Sequence, residues 1–237
     1  MATNGIRQII TAATTGVQSL LGNMIAKNET DELKAFYSLY IWGVHTICTV
    51  LFTITGIMIV PFAQVYTSGI TDANYSLPLF GLLLTIAYFF NSLRNCQFIL
   101  IRAAGHFQKT QSAVLMESIL NLFISVALVF SLGLTGVAIG TITATVFFVA
   151  YEMIYFSKNI VFFPVAHAIK QFSVDLLVVG LTVLIATQIN LFTGSVSSWI
   201  LQAFVVSIVC FAIGLFAQIV FYRNNLGRIL KRFIKRR

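Results

Sequence analysis

Unalternating apolar runs of about twenty residues dominate the chain, and they decide what it can fold into. As a helix, such a run matches a hydrocarbon layer of about 30 Å. A membrane β-strand would instead alternate apolar and polar residues over about ten positions. Of 237 residues, 58% are hydrophobic and 9% charged, whereas a soluble domain carries about 25% charged residues. Too few polar groups exist to cover a water-facing surface. The expected fold is all-α: a polytopic helical membrane protein with about seven transmembrane helices. Their expected ranges are 6–26, 39–65, 78–102, 113–132, 137–156, 174–191 and 199–222. Pro61 is expected to bend the second. Asn28 or Thr30 should cap a helix that leads into it, with Glu29, Asp31 and Glu32 near its positive end.

Charge sets the topology. The segments after spans one, three and five hold Lys27 and Lys34, then Lys109 near Arg102, then Lys158 and Lys170. The segments after spans two, four and six hold no Lys or Arg, and the loop 67–76 carries Asp72. The positive-inside rule places the basic loops and the C-terminus in the cytoplasm of a cell-membrane protein. An odd number of spans then puts the N-terminus outside, which leads to one of two expectations: a first helix that inserts in reverse or, the favoured one, a longer protein with earlier spans. The tail 223–237 holds 7 of the 15 basic residues. On a membrane protein this reads as an anchor on anionic lipids rather than a nucleic-acid site. The segment 157–172 includes an amphipathic piece expected to lie along the interface. The chain thus divides into 1–158 (about five spans), 159–222 (two more spans with an interfacial loop) and the basic tail.

The third span is the exceptional one. At about 100° per residue, Asn91, Arg94, Asn95, Phe98 and Arg102 share one stripe of its surface. An arginine inside a bilayer costs about 3 kcal/mol or more, which makes it a functional candidate. Arg94 is a candidate to bind a phosphate or acidic sugar, with structural ion pairing as the alternative. Asn91 and Asn95 are candidate partners for sugar hydroxyls, or for other helices. Arg102 and Lys109 stand at the basic mouth, as headgroup attractors or plain anchors. Glu117 on the next span is placed to pair with Arg94 or Arg102, or to carry a coupling ion, and Asn121 lies one turn on. Gly136 and Gly140 form a small-xxx-small face for close helix packing. His106 reads as a residue that orders the 103–111 turn, and Glu152 as a headgroup-level residue paired with a lysine. His45 and His167 carry no assigned role. Cys48, Cys96 and Cys210 lie in separate apolar runs and form no disulfide framework, and no Cys/His cluster implies a metal or other cofactor.

The order of GNMIAKNETDELK, VYTSGITDANY, AAGHFQKT, ESILNLFISVALV and GLTGVAIGT over about residues 16–150 resembles the polysaccharide (oligosaccharide) flippases. These belong to the multidrug/oligosaccharidyl-lipid/polysaccharide exporter superfamily, with its MATE-like fold. The resemblance implies the C-terminal lobe plus the last two helices of such a fold, with a missing N-terminal lobe or partner subunit. It implies a transporter, not an enzyme, that flips undecaprenyl-pyrophosphate-linked oligosaccharide by alternating access for cell-surface polysaccharide synthesis. A drug/cation antiporter is one alternative, for which acidic cavity residues would be required. A membrane glycosyltransferase or polymerase is another, for which large extracytoplasmic loops would be required.

Overall fold

The computed structural model describes residues 16–69, 77–189 and 191–223, together with Gly5, Gln8, Thr11, Ala12 and Thr14. Asp72, most of the first span's beginning and the basic tail beyond Arg223 lie outside the described residues. Among those described, the ordered elements are seven helices: α1 (Val17–Ala26), α2 (Thr30–Tyr66), α3 (Pro78–Ala103), α4 (Phe107–Leu132), α5 (Leu134–Asn159), α6 (Val165–Gln188) and α7 (Val196–Phe221). Five of them, α2 and α4 to α7, are long and apolar enough to cross a membrane. The other two differ for separate reasons. Only ten residues of α1 form a continuous described helix, and the polar stripe of α3 dilutes its apolar character.

Helix ends follow local chemistry. Asn28 turns the chain at φ 57° before α2, a left-handed conformation that asparagine tolerates. Asp31 and Glu32 occupy the first turn of α2, where they meet the positive end of the helix dipole. Neither Asn28 nor Thr30 caps it: Glu29 holds that position, with no side-chain hydrogen bond. Pro61 lies inside α2 without ending it. Ser195 does cap α7, accepting from the Ser198 amide. The hairpin between α4 and α5 turns on Gly133 alone, at φ 57° and ψ −137°.

The expected interfacial segment is corrected. Pro164, extended at ψ 132°, caps α6, and the helix then runs from Val165 to Gln188 without interruption. No breaker separates the amphipathic stretch from the apolar one, so both continue as one helix. Residues near 170 thus belong to one continuous helix, of which Ala166–Gln188 is long and apolar enough to cross a membrane.

The α5 helix lies between α3 and α4, and α2 contacts α3, α6 and α7. At the basic end, Leu21, Tyr37, Leu100, Ile101 and Phe156 are fully buried in one cluster drawn from α1, α2, α3 and α5. Elsewhere the outer faces are apolar and uncovered: Phe123 is 70% and Phe130 87% exposed on α4. Such contiguous apolar surface is sustainable in lipid and not in water. The molecule is a membrane-embedded helical protein.

Candidate functional site: intramembrane charges and two cavities

The first charged group joins α3, α4 and α5. Arg94 Nη1 donates to Glu117 Oε1 at 2.9 Å. Its guanidinium also sits over the Phe148 ring, 4.4 Å from the centroid. One turn beyond Phe148 on the same face of α5 is Glu152, and its electrostatic neighbours include Arg94 and Glu117. Glu152 is fully buried, and neither carboxylate oxygen has a hydrogen-bond partner among the described residues. The expected headgroup position and lysine partner are corrected: α5 continues to Asn159, which places Glu152 about 10 Å inside the helix end at 1.5 Å per residue.

The remaining residues of the polar stripe disperse. Asn91 and Asn95 are half-buried on α3. Exposed Arg102 stacks on Phe98 at 4.5 Å and lies 5.6 Å from the Phe107 centroid, so its charge stays at the helix end. Asn121 accepts from Ser125 at 3.0 Å and from Thr141 at 3.4 Å, which makes it a bond between α4 and α5. Beside it the glycine seam forms as expected. A Cβ on Gly140 would meet the Ser125 backbone nitrogen at 2.8 Å, and one on Gly136 would overlap the Leu128 carbonyl.

His106 orders the turn between α3 and α4. Lys109 Nζ lies 3.4 Å from Nε2 and Tyr155 Oη lies 3.1 Å from Nδ1. An ammonium can only donate, so Nε2 accepts and Nδ1–H donates to Tyr155. Desolvation, then the Lys109 charge, lowers the His106 pKa below its ordinary 6.5. The neutral form is therefore the one the fold prefers. Its contribution is full above pH 6.5 and is lost as pH falls through the lowered folded value. His106→Gln is expected to flatten the acid side of a pH–thermal-unfolding profile in detergent. An unchanged acid limb would exclude His106 as its source.

A second polar group lies between α2, α6 and α7. His45 Nδ1 is 2.7 Å from Asp175 Oδ2, with side chains 11% and 7% exposed. Gln171 Nε2 donates to the other carboxylate oxygen at 3.2 Å, and the Phe172 ring meets the imidazole edge-on, 5.2 Å between centroids. Trp42 Nε1 donates to Gln218 Oε1 at 2.6 Å nearby. Sequence reasoning missed this group. A span beginning near residue 174 would put Asp175 at the headgroups. Because α6 begins at Val165, Asp175 lies about 15 Å along it.

Two cavities flank this second group. One, of about 510 Å³, opens toward the basic end and is bordered by His45, Gln97, His167, Lys170, Gln171 and Arg223. The other, of about 710 Å³, extends toward the opposite end between α2, α3 and α6. Its walls are chiefly apolar, including Phe52, Leu82, Ile86, Phe90 and Val179, with Asp175 at one edge. Phe172 borders both. Helix α3 lines these cavities through Leu93, Cys96 and Gln97 in the first and through Leu82, Ile86 and Phe90 in the second, while Arg94 lines neither. Among the described residues, no three His, Cys, Asp or Glu side chains gather as a metal site would require. No protein family, curated protein or solved structure matches this chain.

Proposed function

We propose that this chain is the membrane-embedded transport half of an exporter that flips lipid-linked oligosaccharide by alternating access, working with a second lobe or partner subunit. The observation that carries the reading is the adjacency of two cavities of opposite character in one bundle. A sugar-pyrophosphate headgroup needs hydrogen-bond donors and positive charge, which Lys170, Arg223, Gln97 and Gln171 offer at the basic cavity. A polyprenyl tail needs an apolar channel, which the second cavity offers. In this reading α1 and α3 also span, giving seven spans with the basic end in the cytoplasm and the tail on anionic lipids. The family resemblance of the sequence points the same way. Arg94, Asn91, Asn95, Arg102, Glu117 and Asn121 are proposed as the outer polar face of the transport path, reached when the lobes rearrange.

The test is complementation of a bacterial strain lacking its oligosaccharide flippase. Lys170→Ala combined with Arg223→Ala is expected to lower export about tenfold or more, from the loss of charge-assisted hydrogen bonds. Wild-type export by that double variant would remove the basic cavity from the cargo path. A second reading, coupled antiport of an organic cation, is favoured by three acidic residues within spans: Glu117, Glu152 and Asp175. Efflux of a cationic dye from vesicles, with no translocation of lipid-linked oligosaccharide, would decide for it.

A further inference from the structure

His45 and Asp175 touch each other and border different cavities. His45 lines the basic-end cavity and Asp175 the apolar one, and the imidazole and carboxylate are 2.7 Å apart. Charged groups this deep in a bilayer are expensive and mark ion or proton paths. We propose that His45 and Asp175 form a proton-transfer site joining the two cavities. The proposal rests on reading the chain as a transport unit but not on the identity of its cargo.

The step balances in protons alone. With the proton on Nδ1, His45 donates to Asp175 Oδ2. A proton arriving at Nε2 from the basic-end cavity makes an imidazolium. The Nδ1 proton then passes to Oδ2, which leaves a neutral imidazole and a carboxylic acid. That acid releases its proton into the second cavity, and the imidazole ring turns so that Nε2–H faces the carboxylate and the bare Nδ1 faces the basic-end cavity, ready to take the next proton with the two nitrogens exchanged. Gln171 holds the other carboxylate oxygen throughout. Phe172 stands at the border of both cavities, and a bulky apolar ring there favours passage of a proton over a hydrated ion.

The surrounding titratable groups come from each packed helix. The Asp175 carboxylate acts electrostatically on Cys48 of α2 and on Tyr222, just past α7. Cys96 on α3, His167 and Lys170 on α6, and Arg223 past α7 border the basic-end cavity with His45. Among them the basic Lys170 and Arg223 oppose entry of a proton, while the Asp175 carboxylate draws it in. The pair is therefore the place where a proton is held.

The full chain is reconstituted in liposomes with a pH-sensitive dye inside, and proton entry is followed under an imposed gradient with valinomycin and potassium. Wild type is expected to pass protons above protein-free vesicles. Asp175→Asn, which keeps the shape and an acceptor for His45, and His45→Gln are each expected to lower the flux about tenfold or more. Glu32→Gln, in the exposed first turn of α2, is expected to leave it unchanged. The thermal midpoint of each variant in detergent identifies loss of fold, and His45→Gln serves where Asp175→Asn unfolds. Equal flux in wild type and the folded variants, at any level, overturns the proposal. A chain that flips lipid-linked oligosaccharide without this flux loses the proton site and keeps its cargo. One that passes protons through Asp175 but moves no oligosaccharide keeps the site and loses that cargo.

Discussion

Arg94→Met is expected to destabilise the protein by about 3 kcal/mol, because it leaves Glu117 with no cation beside it in a low-dielectric setting. Arg94 and Glu117 are 23% and 13% exposed, so the ion pair is largely shielded by the helices around it. The stacking of the guanidinium on Phe148 is lost as well. Removing all three ionisable side chains, as Arg94→Met, Glu117→Met and Glu152→Gln together, is expected to restore stability to within about 1 kcal/mol of wild type, since apolar replacement of a buried pair is often neutral. Denaturant unfolding in mixed micelles measures both. The same variants separate structure from transport. If the cluster only holds α3, α4 and α5 together, the triple variant exports cargo normally. If it belongs to the transport path, the triple variant folds and does not export. A single Arg94→Met variant as stable as wild type would show that the ion pair is negligible.

Gly140→Val is expected to open the hairpin between α4 and α5, at a cost of about 3 kcal/mol. The added side chain would start against Ser125, whose backbone nitrogen lies 2.8 Å from the Cβ position. Backbone cannot move aside as the tip of a flexible side chain can. The hydrogen bonds that Asn121 accepts from Ser125 and Thr141 lie along this seam and would be strained with it. Gly180, with nothing near its Cβ position, is the control, and Gly180→Val should cost only the difference in helix propensity, which is about zero to a few tenths of a kcal/mol in favour of valine. Crosslinking of cysteines placed across α4 and α5 reports the separation. Unchanged crosslinking and stability in Gly140→Val would mean that the seam is looser than its geometry.

Helix positions were largely legible in the sequence because hydropathy is a local property. The α3 and α7 ranges agree with expectation to within a few residues, and the glycine spacing at Gly136 and Gly140 announced close packing before any coordinates. The misplacements were at helix starts. An apolar-run criterion begins α6 where the charges stop, whereas the backbone begins it at the last residue that must be non-helical, Pro164. That offset hid Asp175, and the matching offset at the end of α5 set Glu152 too near the helix end. The polar stripe on α3 was legible as a stripe, but its partners were not.

By itself, the sequence determined the class of molecule and the place of most of its long apolar helices, though among the described residues five rather than seven are long and apolar enough to cross a membrane, since each depends on composition within about twenty neighbouring residues. Only the tertiary structure decided which polar groups meet. Arg94 and Glu117 are 23 residues apart, His45 and Asp175 are 130, and Trp42 and Gln218 are 176. In lipid the outer and inner faces of a helix are both apolar, so the pattern of apolar residues leaves the rotation of each helix almost free. Packing at glycines and the need of each buried charge for a partner set that rotation, and with it the two cavities and the groups between them.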